Sequence, residues 1–239
     1  MNKIYKINVR GKKVICSVLI LCAGCFTSLK AQFSSPFSVG LGFGGTNLHG
    51  DFKNEPVGYA GSANFDFHLS PFFSAGINLQ AGNLKGEANF GSFKNDFMAG
   101  NFNIKIRAGQ FYAAKKNYGL YSLKKQGLAG YLAYAYAGVG IGLIRSDVNA
   151  KINEGNTRQL FDDAYGTYDK TATVIPLNVG IDIPFKQSMT GPTWSVNINY
   201  QLNVSTADRL DGFAPMYSEH KDFYSYWSVG IQKALFVKK

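Results

Sequence analysis

The stretch Trp194-Ser-Val-Asn-Ile-Asn-Tyr-Gln-Leu-Asn-Val204 alternates without a fault. Trp194, Val196, Ile198, Tyr200, Leu202 and Val204 are apolar or aromatic, whereas Ser195, Asn197, Asn199, Gln201 and Asn203 are all polar. Successive side chains of a strand point to opposite faces, so one face here meets an apolar medium and the other a polar one. A soluble sandwich also satisfies that pattern. Repetition decides between them. Similar stretches recur at Phe37 to Gly44, Tyr59 to Leu69, Phe73 to Gly82, Met98 to Ala108, Ala129 to Leu143, Leu177 to Phe185 and Phe223 to Phe236. Alternating segments of about ten residues behind an export signal are the signature of a transmembrane β-barrel. The expected fold is therefore all-β: an antiparallel transmembrane barrel of about eight strands, an even number as in single-chain bacterial barrels.

The export signal occupies residues 1–31, leaving 32–239 as the barrel domain. Lys3, Lys6, Arg10, Lys12 and Lys13 precede the apolar run Val14 to Phe26, and Ser28-Leu-Lys-Ala31 offers a cleavage site before Gln32. The apolar run is too short to be retained as a spanning helix. Leu21-Cys-Ala-Gly-Cys25 presents an alternative, a lipoprotein signal with Cys25 lipidated, although Cys22 stands where an aliphatic residue is expected. Removing the signal takes six of the 25 basic residues and no acid, leaving 19 against 15 and a net charge of +4. The basic character is thus largely the signal's, and nucleic-acid binding does not follow from it. Cys16, Cys22 and Cys25 all leave with the signal, so the mature chain has neither disulfide nor thiolate metal site. After the signal no apolar run is long enough for a transmembrane helix.

The alternation assigns faces. Ser62, Asn64, Asp66 and His68 are expected inside, with Ala63, Phe65, Phe67 and Leu69 outside; Asn101, Asn103, Lys105 and Arg107 inside, with Phe102, Ile104 and Ile106 outside. Tyr134 and Tyr136 are read as interior fillers beside Gly138, Gly140 and Gly142. Connections at 70–72, 109–127 and 187–192 are expected on the periplasmic side, and polar loops at 45–58, 83–96, 144–171 and 205–222 outside. Eight strands enclose a space that their own side chains fill. Asp66, His68, Lys105, Arg107 and Asp182 then form an interior polar cluster, whose opposite charges must pair because an isolated one is costly.

Catalysis finds little support. His49 and His220 fall near Asp51 and Asp222, but no spacing singles out a triad, so the chain is expected not to be an enzyme. No metal or cofactor is expected. The segment 109–127 carries Lys115, Lys116, Lys124 and Lys125 without an acid. It suits either a membrane rim beside anionic head groups or contact with a periplasmic protein partner.

Gly44-Gly-Thr-Asn-Leu-His-Gly-Asp51, Leu69-Ser-Pro-Phe-Phe73, Tyr136-Ala-Gly-Val-Gly140, Asp208-Arg-Leu-Asp-Gly212 and Lys221-Asp-Phe-Tyr224 occur in the order found in one group. With these motifs and Ala31-Gln32, the chain resembles the small outer-membrane barrels of Bacteroidota. That group includes the transmembrane barrel of OmpA-like proteins and the PorG-type component of type IX secretion. The resemblance implies an outer-membrane location, outer-membrane lipid as surroundings, and a scaffold role for a periplasmic assembly. The terminal Leu235-Phe236 is similar to the aromatic-ended signal read by the barrel assembly machinery, although Val-Lys-Lys follows it. No peptidoglycan-binding domain follows Phe236, which favours a lone barrel. A minor small-solute channel and a surface-binding barrel using the 144–171 loop are the other readings.

Overall fold

A strand of alternating character is stable only if its backbone is fully paired and each face meets its own medium. In lipid, closure into a barrel is how a sheet meets both conditions. The structure, a computed structural model, describes residues 36–49, 56–88, 91–112, 128–152, 168–188, 191–206, 210 and 222–235. They form eight strands: β1 (Phe37–His49), β2 (Gly58–Ser70), β3 (Phe73–Ala88), β4 (Gly91–Arg107), β5 (Ala135–Ile152), β6 (Tyr168–Ser188), β7 (Gly191–Ser205) and β8 (Phe223–Leu235). Each pairs antiparallel with the next, and β8 pairs back onto β1 from Phe37↔Leu235 to His49↔Phe223, which closes the barrel. Two short helices, α1 (Gly109–Tyr112) and α2 (Leu128–Leu132), belong to the β4–β5 connection. We call the end with residues 36 and 235 the terminal end and the other the loop end. The expected signal peptide and the lysines at 115, 116, 124 and 125 fall outside the described residues.

The outside of the lower barrel is apolar on every strand. Leu41, Phe65, Ile77, Phe102, Ile141, Val179, Ile198 and Val229 are all exposed, and a band of such size does not face water. Ser74, Asn78, Asn101, Asn103, Asn178 and Gln201 on the opposite face are buried. The faces assigned from the alternation are those observed, Asn203 buried inside and Tyr200 half exposed outside included. Phe43 stacks on Tyr59 at 6.3 Å near the upper edge of the band, and Lys85 Nζ lies 5.7 Å from the Tyr59 ring. Aromatic rings of this kind mark the membrane interface.

Above the band the pattern reverses. On β4 the outward series runs from Met98 to Asp96 and Lys94, all exposed, while Phe97 and Phe93 turn inward and are buried. On β5, Leu143 gives way outside to Arg145 and Asp147, and Ile144 and Val148 are buried inside. A sheet with charges outside and an apolar core inside is a sheet in water. The hydrocarbon boundary therefore crosses β4 between Met98 and Asp96, and β3 to β6 rise past it. Ile77→Arg, within the band, is expected to destabilise by about 2–4 kcal/mol in urea unfolding from lipid vesicles. Glu87→Arg, above the boundary, is expected to stay within about 0.5 kcal/mol. A neutral Ile77→Arg would mean that this face does not meet hydrocarbon.

Several strands run further, or start later, than their alternation predicts. Residues 83–88 and 91–96 are not a loop, because Asn83↔Asp96 through Ala88↔Gly91 continue the β3–β4 ladder. The 144–171 loop narrows, since β5 runs on to Ile152 and β6 starts at Tyr168. β6 and β7 likewise extend into the expected turn at 187–192, pairing Gln187 with Pro192. The expected strand from Ala129 instead begins with α2, and β5 starts at Ala135. Its partner β4 ends at Arg107, paired with Tyr136, so residues before 135 have no ladder to join on that side.

Candidate functional site

The lumen is the site that the fold builds, and it has two levels. The lower level is ionic and amide-lined. Lys105 Nζ on β4 lies 3.1 Å from both oxygens of Asp66 on β2. These strands are not neighbours; β3 runs between them. Gly76 of β3 makes the contact feasible, because an added Cβ there would overlap Asp66 Oδ1 and the backbone beneath it. The same device recurs at Gly180 of β6, where the absent side chain leaves room for the Tyr136 ring. Reaching across from β5, Tyr136 Oη accepts from Asn197 Nδ2 (2.9 Å) and donates to Asn199 Oδ1 (3.0 Å) on β7.

A second ion pair closes the terminal end. Arg107 Nη2 donates to Asp182 Oδ2 at 2.8 Å, and both side chains are nearly shielded from solvent. Asn197 Nδ2 donates to the other Asp182 oxygen at 2.8 Å, so the carboxylate is doubly satisfied. Arg107 Nη1 also reaches the Pro71 carbonyl in the β2–β3 turn at 3.3 Å. Around this hub, Phe72, Ala133 and Tyr134 are buried, Gly109 N donates to Ala133 O, and Asp182 N donates to Tyr134 O. The roots of the β4–β5 connection are thereby clasped across the barrel mouth. Burial pushes the Tyr134 phenol up to about 12, so it stays protonated at neutral pH.

Of the cluster read from the sequence, the structure brings together Asp66 with Lys105 and Arg107 with Asp182. His68 joins at the edge, its Nε2 2.9 Å from Ser38 Oγ, which accepts from Gln232 Nε2 at 2.7 Å. Gln232 Nε2 also reaches Asp66 Oδ2 at 3.1 Å. Amides continue the network upward: Asn78 Nδ2 to Asn64 Oδ1 (2.6 Å), Asn178 Nδ2 to Asn103 Oδ1 (3.0 Å), and Gln80 Nε2 across the lumen to Gln201 Oε1 (2.8 Å). Among the described residues, a cavity of about 20 Å³ lies between Asp66, Asn103, Asn178 and Tyr136, room for a single water.

The upper level is apolar, and the sequence reading did not identify it. Leu48, Leu84, Phe93, Phe97, Ile144, Val148, Val174, Tyr224 and Tyr226 form one buried cluster, with Phe97 and Tyr224 ring centroids 5.4 Å apart. Leu210 of the β7–β8 connection enters the same cluster, its carbonyl accepting from Asn95 Nδ2 and its amide donating to Asp222 Oδ2, both at 2.7 Å. The signal was present in the inverted alternation of 93–97 and 144–148. Among the described residues no group of His, Cys, Asp and Glu is placed to hold a metal. His49 stacks on Phe223 at 4.9 Å; its expected neighbour Asp51, like His220, lies outside the described residues.

A closed eight-stranded antiparallel barrel with an apolar outer band and buried polar side chains behind that band is an outer-membrane β-barrel. No family model and no curated relative matches the sequence. Among solved structures the chain is similar to Ail, the attachment invasion locus protein of Yersinia pestis, in complex with the heparin analogue sucrose octasulfate (9% identity, covering 82% of this chain and 96% of that one, TM-score 0.45). It is similar also to Neisserial surface protein A (9%, 84% and 98%, TM-score 0.44) and to OprG from Pseudomonas aeruginosa (8%, 85% and 99%, TM-score 0.40). At such identities and scores these likenesses add no weight. The class rests on closure and on the lipid-facing band.

Proposed function

We propose that this barrel is a non-catalytic anchor or scaffold, fixed in the outer membrane and holding a periplasmic assembly, such as that of type IX secretion in Bacteroidota. The observation that carries the reading is the filled lumen. Two ion pairs, a transverse Gln80–Gln201 contact and an apolar cluster follow one another along the axis, with space for about one water between them. A barrel built in this way offers solutes no route, and its contribution is position. With short turns on the periplasmic side, the terminal end faces the periplasm, and Lys115, Lys116, Lys124 and Lys125 are offered there as the partner contact. Insertion would be the work of the barrel assembly machinery, reading the last strand.

Pull-down from native membranes tests this, comparing the full mature chain with a deletion of 113–127. A reproducible periplasmic partner, lost on deletion, is expected. Conductance in planar bilayers is expected to stay at background. Steady conductance well above background, with no partner recovered, would turn the reading to a small-solute channel.

A further inference from the structure

In the upper lumen Tyr224 Oη, Ser146 Oγ, Asn203 Nδ2 and Asn95 Oδ1 are buried and have no hydrogen-bond partner among the described residues. The four residues are no more than 5% exposed. Burial of a polar atom is ordinarily accompanied by a hydrogen bond, so exceptions gathered at one level need a reason. Register gathers them. Ser146 is the partner of Phe97, whose ring lies 5.4 Å from that of Tyr224. Asn203 is the partner of Tyr224, and Asn95 stands two residues from Phe97 on the same inward face. Four strands thus bring a hydroxyl or an amide to the junction of two rings.

Leu210 shares this junction. It comes from the β7–β8 connection of the loop end and not from a strand, and its backbone is held on both sides, the carbonyl by Asn95 Nδ2 and the amide by Asp222 Oδ2. Its isobutyl group joins the apolar cluster but offers nothing to the hydroxyls and amides there. A mostly apolar wall with a few convergent polar groups is the composition of a small-molecule site. Below it the Gln80–Gln201 contact crosses the lumen, so the level is a cup and not a path.

We propose that the upper lumen is a binding cup for a small uncharged molecule, apolar over most of its surface and carrying a hydroxyl, and that Leu210 is the side chain it displaces. The hydroxyl, donor and acceptor at once, meets Tyr224 and Ser146, while Phe97, Ile144 and Val148 take the apolar body. A charged ligand is excluded by the cost of leaving water for an apolar cluster. Internal water is the rival occupant. Water satisfies the polar atoms but does not replace an isobutyl group, whereas a molecule with both parts answers both observations. The inference goes beyond the anchoring role and stands without it.

The mature barrel in nanodiscs is titrated with 4-fluorophenol and with fluorobenzene, each up to its solubility, and the methyl resonances of Ile144 and Val148 are followed by NMR. The expected result is a saturable shift, at least about tenfold tighter for the phenol, the contribution of about one hydrogen bond to a buried partner. Methyls of the lipid-facing Ile77 and Ile198 report partition into the bilayer and should not saturate. Tyr224→Phe combined with Ser146→Ala should bring the ratio near one. Leu210→Ala, which removes the competing side chain, should tighten both probes, and Leu210→Met, which keeps a competitor, should not. No saturable shift in the parent overturns the proposal and leaves water as the occupant, even where Leu210→Ala binds, since an engineered apolar cavity takes such probes by itself. Equal affinity of the parent for both probes overturns it as well. The parent titration carries the test, so the result stands where a variant fails to fold.

Discussion

Arg107→Ala lowers the unfolding free energy of the barrel by about 3–5 kcal/mol, the usual cost of stripping one partner from a buried ion pair. The change leaves Asp182 charged in the lumen with Asn197 as its remaining side-chain donor, and it releases the Pro71 carbonyl. Urea unfolding from vesicles, followed by tryptophan emission, measures it. The cost belongs to the orphaned carboxylate more than to the lost bond. Arg107→Met combined with Asp182→Leu is therefore expected to recover most of the loss, because apolar replacement of a whole buried pair is often neutral. A single variant as stable as the parent would remove this clasp from the architecture. A double variant no better than the single would place the effect in the lost packing around Pro71 and Phe72.

Phe97→Ala is expected to cost a similar amount, about 3–5 kcal/mol, through loss of apolar burial and a residual cavity beside Tyr224. Its consequence differs in kind. The Gln80–Gln201 contact lies one level lower and still crosses the lumen, so bilayer conductance should remain at background even as stability falls. Stability lost together with a new conductance would show that the apolar level alone seals the barrel. Stability unchanged would mean that the inward face above the band is not a packed core.

Both expectations concern levels that the sequence revealed to different degrees. Below the boundary, alternation was sufficient. In Trp194 to Val204 every outward residue is apolar and every inward one polar, and a medium of fixed polarity on each side allows only one phase. Above the boundary the same logic operates with the media exchanged. Phe93, Phe97, Ile144 and Val148 point inward, each beside one charged outward neighbour (Lys94, Asp96, Arg145 and Asp147), and a short inverted run of that kind reads as a polar loop unless the strand is already known to continue. For α2 the alternating Tyr134 and Tyr136 pointed to a strand, yet a strand needs a neighbour, and β4 had ended at Arg107.

The sequence by itself determined the number of strands, their faces and the presence of acids and bases in the lumen, because each follows from a two-residue period meeting two media. Only the tertiary structure decided which charges pair and where the membrane stops. Asp66 reaches Lys105 across an intervening strand, through the gap left by Gly76, and Arg107 reaches Asp182 across the barrel mouth. Such partners are set by closure and register, which bring residues 39 and 75 positions apart into contact. No local pattern encodes that proximity.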